Sequence, residues 1–150
     1  MTDPFEPIKA SIAVTLDSLL PIHSPIAQPM VDAMRHAVLG GGKRMRPLMT
    51  CAACEAFSGD YRVALPAACG FEFIHAYSLI HDDLPAMDDD ELRHGQAATH
   101  IAFGEANAIL AGDSLHSLAF QALAEAPGLS AGAKLRSIAL LSQAAGWPGM

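Results

Sequence analysis

The mostly apolar run from Asp60 to His81 ends abruptly on two adjacent carboxylates, Asp82 and Asp83. Its 3.6-residue periodicity predicts one long, largely buried helix. The two acids then fall at the helix C-terminus, where exposed carbonyls disfavour negative charge by roughly 0.3–1 kcal/mol each. They also repel one another. A sequence selected for stability alone would place Lys or Arg there. Asp88, Asp89, Asp90 and Glu91 follow, making six carboxylates in ten positions, divided by Leu84-Pro85 and followed by Arg93. A divalent cation is the simplest relief. Hard oxygen ligands with no nearby Cys suit magnesium, which binds through a few carboxylates plus substrate phosphates. The alternative is a solvated acidic loop.

Half of the chain is apolar (51%), rich in Ala and Leu and poor in aromatics and β-branched runs, which predicts an all-α protein. Its 150 residues suffice for one domain with a real core. No segment offers the roughly 18 uninterrupted apolar residues of a membrane span. The acidic start Met1-Thr2-Asp3-Pro4-Phe5-Glu6 lacks the basic-then-apolar plan of a signal peptide, so a cytoplasmic location is expected. A net charge of −7 argues against a nucleic-acid partner, which needs a basic footprint. A small phosphorylated substrate needs only local positive charge or a metal. Cys51-x-x-Cys54 invites a zinc or redox reading. With no second pair and an alanine-rich helical setting, buried free thiols are the expectation for Cys51, Cys54 and Cys69.

In chain order, Asp3-Pro4 can start a helix whose stripe is Ile8, Ile12, Leu16 and Leu19. A loop with Pro21, Pro25 and Pro29 leads to a second helix carrying Met30, Met34, Ala37 and Val38, stopped by Gly40-Gly41-Gly42. Then comes Gly41-Gly42-Lys43-Arg44-Met45-Arg46-Pro47, where the residue before proline is biased away from helix and proline favours the first helical position. Arg46 is therefore expected to cap a helix through Leu48, Ala52, Ala56 and Phe57. Free N–H groups and three cations beside a glycine run suit a phosphate or diphosphate. The plain alternative is a helix stop and start with solvated basic residues. In the long helix Phe71, Ile74, Ser78 and Asp82 share a face, with His75 two turns before Asp82. Thr99 can cap a helix through Phe103, Asn107, Leu110 and Leu115 to about Glu125, with Asp113 as a second polar position. Ser130 caps the last, through Leu135, Ile138, Leu141 and Ser142. Six antiparallel helices with a site between them are expected.

The basic turn, followed by His81-Asp82-Asp83-Leu84-Pro85-Ala86-Met87-Asp88, resembles the N-terminal half of the trans-isoprenyl diphosphate synthase family. Within it the likeness is to bacterial farnesyl diphosphate synthases. Phe73 to Ile80 and Phe103 to Asp113 extend the match, so residues 1–150 read as the N-terminal half of a polyprenyl synthase domain. The resemblance implies an all-α antiparallel bundle of the prenyl synthase type, usually a homodimer. Such an enzyme joins isopentenyl diphosphate to an allylic diphosphate, dimethylallyl or geranyl. Asp82, Asp83 and Asp88 match the aspartate-rich motif through which Mg2+ holds the allylic diphosphate, and Arg93 matches an arginine contacting it. Lys43, Arg46 and His75 match positions that bind isopentenyl diphosphate. Tyr77 and Ser78 match positions that set product length, and Tyr77 implies farnesyl diphosphate.

Two departures qualify this likeness. His94 stands where the family usually has a second arginine of the isopentenyl diphosphate site, and it cannot offer a bidentate fork. Weaker binding of that substrate, improving towards about pH 6, is expected. The family also carries a second aspartate-rich motif in its C-terminal half, whereas after Asp113 the only acid here is Glu125. The chain therefore reads either as a prenyltransferase represented by one half, or as a non-catalytic diphosphate-binding subunit or fragment that needs a complementing C-terminal half.

Overall fold

The computed structural model describes residues 3–149; Met1, Thr2 and Met150 lie outside the described residues. The helices are α1 (Glu6–Leu19), α2 (Gln28–Leu39), α3 (Met45–Ser58), α4 (Leu65–Asp82), α5 (Thr99–Phe103), α6 (Glu105–Ala124) and α7 (Ala131–Ala145). A 3-10 turn, Tyr61–Ala64, precedes α4. Between α4 and α5 the chain forms a short antiparallel hairpin, β1 (Leu92–Arg93) and β2 (Gln96–Ala97), pairing Leu92 with Ala97 and Arg93 with Gln96.

The all-α class is as the composition predicts, but seven helices replace the expected six among the described residues. The segment expected to run unbroken from Thr99 to Glu125 is interrupted at Gly104, whose φ of 83° and ψ of 152° no helix accommodates. Thr99 is the first helical residue rather than the cap, a place taken by Ala98. The other helix starts also shift. The Asp3 carboxylate accepts the Phe5 N–H at 2.9 Å, forming a turn ahead of α1 instead of capping it. Pro29, expected in the loop, sits in the first turn of α2. Arg46 does not cap α3; the cap is Arg44, with a left-handed φ of 51°, and Pro47 is the third helical residue. Proline is tolerated there because first-turn N–H groups have no intrahelical acceptor. Ser130 does cap α7, its hydroxyl accepting the Ala133 N–H at 3.2 Å.

The core is organised on α4. Helix α6 packs along its length, with α1, α2 and α3 on other sides. The stretch Tyr61–Asp82 is long and apolar enough in composition to cross a membrane, yet here it is the core helix, with Cys69, Phe73, Ala76 and Ile80 buried. Small residues bring α4 and α6 close. A Cβ added at Gly70 would lie 3.1 Å from the Ala119 carbonyl, and Ala108, Ala111 and Ala119 are fully buried. In α1 the buried stripe is Ile8, Ile12 and Leu16, continued by Leu20 just past the helix, with Leu19 packed at its edge. Cys51 and Cys69 are buried free thiols, as expected, and Cys54 is half-buried. Burial pushes the Cys51 thiol up to about 11 and that of Cys69 to about 12. In contrast, α7 buries only Leu141 and Ala145 and leaves Leu135 and Leu140 exposed.

At the end of the α4–α6 seam, Gly112 makes room for the His81 ring. A Cβ there would lie 2.2 Å from Nε2, the atom that hydrogen-bonds the Ile109 carbonyl at 3.1 Å. Gly112→Ala is therefore expected to lose about 1–3 kcal/mol by overpacking, more than the roughly 1 kcal/mol alanine gains over glycine inside a helix. Urea unfolding checks the net loss, and adding His81→Ala should recover most of it. A neutral or stabilising Gly112→Ala would mean that the imidazole is not pinned.

Candidate functional site

A cleft of about 530 Å³ opens between the C-terminus of α2, the glycine turn, the start of α3, the second half of α4 and the hairpin. It is lined by six of the residues singled out in the sequence: Lys43, Arg46, His75, Asp83, Arg93 and His94. The backbone explains why they converge. Gly41 and Gly42 have φ of 131° and 104°, conformations open to glycine, and they fold the chain back so that Lys43 and Arg46 overhang the cleft. On the opposite wall His94 and Gly95 form the two-residue loop between β1 and β2, with φ of 53° and 80°. Positive φ at both central residues matches the twist of a tight hairpin. The hairpin is tied to α2 by the His36 Nε2 contact with the Ala97 carbonyl at 2.9 Å.

Charge in the cleft is unevenly cancelled. Asp83, 2% exposed, caps the C-terminal end of α4 and accepts the Arg93 guanidinium through Nε at 3.1 Å and through Nη2. Arg93 Nη2 also reaches Asp90 at 3.2 Å. Its hydrogen bonds and charge interactions with Asp83 push the Arg93 pKa up. Glu72, 4% exposed, is held in the same way by Arg44 at 2.6 Å. Among the described residues, Lys43 and Arg46 have no carboxylate partner. A cleft in an acidic chain thus keeps two uncompensated cations. Burial first, and then the Arg46 charge, hold His75 below the usual histidine range, so its ring is neutral near pH 7.

The aspartates divide. Asp83 faces the cleft beside His75, whereas the sequence pattern had aligned His75 with Asp82; the hairpin arginine draws in the residue just past the helix end. Asp82, half-buried, and Asp88, exposed, stand outside the cleft lining. Leu84-Pro85-Ala86-Met87 turns tightly, with Met87 N–H to the Leu84 carbonyl at 2.8 Å. The Asp88 N–H then donates to the Asp82 carbonyl at 2.8 Å, so the two residues meet across the turn. No group of three or more His, Cys, Asp or Glu among the described residues is arranged to hold a metal by itself. Asp83, expected beside them as a metal ligand, is committed to Arg93, which leaves half-buried Asp82 and exposed Asp88 as hard oxygen donors of the kind magnesium takes in small number, completing its shell with phosphates and water.

Tyr77 and Ser78 lie away from the cleft lining. The Tyr77 ring packs edge-on against His81 (centroids 5.3 Å apart) and against His116 of α6 (5.0 Å), and His116 packs on Phe120 (5.2 Å). Ser78 donates to the His75 carbonyl at 2.9 Å. Sequence reasoning missed Glu72 and this ring stack. Glu72 had left a signal: an acid inside an apolar helical run needs a buried cation, and the basic turn was the nearest supply.

Residues 27–146 match the polyprenyl synthetase family. The chain is 51% identical over 122 residues to the farnesyl diphosphate synthase of Haemophilus influenzae, covering 81% of this chain and 41% of that protein. It is 46% identical over 138 residues to the heterodimeric geranylgeranyl pyrophosphate synthase large subunit 1, chloroplastic, of Arabidopsis thaliana, covering 90% and 37%. An apo crystal structure of a FPP/GFPP synthase from Zymomonas mobilis superposes with a TM-score of 0.91 at 41% identity, covering 97% of this chain and 53% of that one. The chain spans about two fifths of the length of the curated relatives it matches. The matched region contains the basic turn, the helix that ends in aspartates and the hairpin that follows it, and the chain belongs to the polyprenyl synthetase family.

Proposed function

We propose that this chain provides the substrate-binding half of a prenyltransferase that condenses isopentenyl diphosphate with an allylic diphosphate to give farnesyl diphosphate. The observation that carries this reading is the pair of unpartnered cations, Lys43 and Arg46, facing His75 and His94 across a cleft that adjoins Asp82 and Asp88. Lys43 and Arg46 supply charge-assisted hydrogen bonds to the isopentenyl diphosphate, and neutral His75 adds a contact without another charge. Asp82 and Asp88 would hold Mg2+, whose charge stabilises the departing diphosphate of the allylic substrate. Arg93, fixed by Asp83 and Asp90, presents its remaining donors to that same leaving group.

The allylic C–O bond breaks heterolytically to an allylic cation and pyrophosphate. The isopentenyl double bond then attacks the cation to form the new C–C bond, and a proton passes to the released pyrophosphate. No protein nucleophile or redox partner is required. The stacked rings of Tyr77, His116 and Phe120, outside the cleft lining and between α4 and α6, supply the bulk that limits chain growth.

A half-site reading is supported by the exposed Leu135, Leu140 and Trp147 and by the chain's span of about two fifths of its curated relatives. A complementing C-terminal half, or a partner subunit as in the heterodimeric relative, would cover those apolar side chains.

The deciding experiment measures pyrophosphate binding with and without Mg2+, alongside a product assay with geranyl diphosphate, isopentenyl diphosphate and Mg2+. Magnesium-dependent binding is expected, weakened at least about tenfold, or about 1.4 kcal/mol, by Asp82→Asn combined with Asp88→Asn. Farnesol after phosphatase treatment would show a complete site, and binding without turnover a half-site; neither binding nor product would overturn the proposal. Replacing His94 by Arg introduces a bidentate charged donor worth roughly 1.5–3 kcal/mol. Calorimetry should then show pyrophosphate binding about tenfold or more tighter, and unchanged affinity would place His94 outside the anion site. If the assembled enzyme is assayed, Tyr77→Ala should yield products longer than farnesyl, whereas an unaltered product would remove the ring from chain-length control.

A further inference from the structure

Arg44 sits between the two unpartnered cations in sequence and lines the same cleft, yet its guanidinium is taken up by protein acceptors. Its Nη1 donates to Glu72 at 2.6 Å, and its Nη2 donates to the Val38 carbonyl near the end of α2. Its own carbonyl accepts the Leu48 N–H at 3.0 Å, closing the first turn of α3. One residue therefore joins the end of α2, the glycine turn, the start of α3 and the middle of α4.

That junction coincides with unusual backbone. Gly41, Gly42 and Arg44 all have positive φ, and Arg44 is the one of the three with a side chain to oppose it. The turn is not wedged sterically. A Cβ on Gly42 would lie 3.8 Å from His94 Nε2 and 3.9 Å from Arg44 Nη1, ordinary van der Waals distances, and one on Gly41 would meet nothing within 4 Å, so the hydrogen bonds of Arg44 rather than crowding are what tie this segment down. Lys43 and Arg46 are exposed and make no ion pair that directs them. Their aim is set by the backbone from which they hang, and Arg44 anchors that backbone. Glu72 is almost wholly buried, so its charge demands a partner. Buried ion pairs seldom add stability over apolar residues of similar volume, and their best-attested use is to specify one geometry among several.

We propose that the pair of half-buried Arg44 and buried Glu72 is a positioning device that holds the glycine turn in the single conformation directing Lys43 and Arg46 into the cleft. Arg44 is thus a positioning residue rather than a ligand. Its consequence for anion binding rests on the function proposed above, while its hold on the turn does not.

The test compares the unaltered chain with Glu72→Gln and with the apolar double variant Arg44→Met, Glu72→Leu. Three readouts are taken on each: urea stability, amide hydrogen exchange across Gly41–Arg46, and calorimetric titration with magnesium pyrophosphate. The double variant is expected to keep its stability while the turn amides exchange at least about tenfold faster and pyrophosphate binds at least about tenfold more weakly. Glu72→Gln should fall between. A folded double variant with unchanged exchange and affinity would overturn the proposal, because a purely structural pair can be replaced without moving either. Should the double variant fail to fold, Arg44→Lys keeps the charge without the two-pronged fork, and unchanged exchange in its turn overturns the idea equally. If the unaltered chain binds no pyrophosphate, the anion reading of the cleft fails, and exchange alone decides whether the pair holds the turn.

Discussion

Gly70 and Gly112, one on each of two facing helices, let α4 and α6 approach until a carbonyl and an imidazole occupy the space of absent side chains. Buried alanines continue the seam, so dispersion contacts accumulate along its length. This close packing makes α4 a rigid post. Everything chemical in the molecule is referred to it: Glu72 and His75 project from its middle, Tyr77 from the α6 side, and Asp82 and Asp83 from its end. A looser pairing of the two helices would leave those groups without fixed relative positions, however suitable each was individually.

Charge is then distributed around that post by burial. Two acids, Glu72 within α4 and Asp83 just past its end, face inward, and each is satisfied by an arginine from outside that helix. Arg44 is committed to organising the cleft, whereas Arg93 keeps its Nη1 free of these bonds. Lys43 and Arg46 stay unpaired, and Asp82 and Asp88 stay near solvent. The same residue types thus separate into structural and chemical groups according to the cost of leaving a buried charge alone. That separation brings an uncompensated positive cleft next to two carboxylates without a cationic partner among the described residues, the arrangement on which the proposed diphosphate and magnesium reading rests.

The outer surface is less complete. Helix α7 presents Leu135 and Leu140 to solvent, and Phe57 and Trp147 are more than nine-tenths exposed. Single exposed apolar residues are ordinary on soluble proteins. Here they occur in a chain that spans about two fifths of its curated relatives, and the half-site reading gives them a common physical origin.

The amino-acid sequence by itself determined the helical class, the positions of the basic turn and acidic helix end, and the family to which they point. Helical periodicity and local charge are properties of short segments, legible without knowing what lies across the core. Helix boundaries were less legible, because Gly104 and Arg44 take positive-φ conformations inside segments whose periodicity reads as helix or helix start, and Arg44 is held by Glu72 and Val38 across the fold. Only the tertiary structure decided that Asp83 is buried against Arg93 while Asp82 stays open, and that Arg44 is a tether while Lys43 and Arg46 are free. Glu72 and Arg44 are separated by 28 positions. Which charge is paired depends on which is desolvated, and desolvation is settled by packing between distant segments rather than by spacing along the chain.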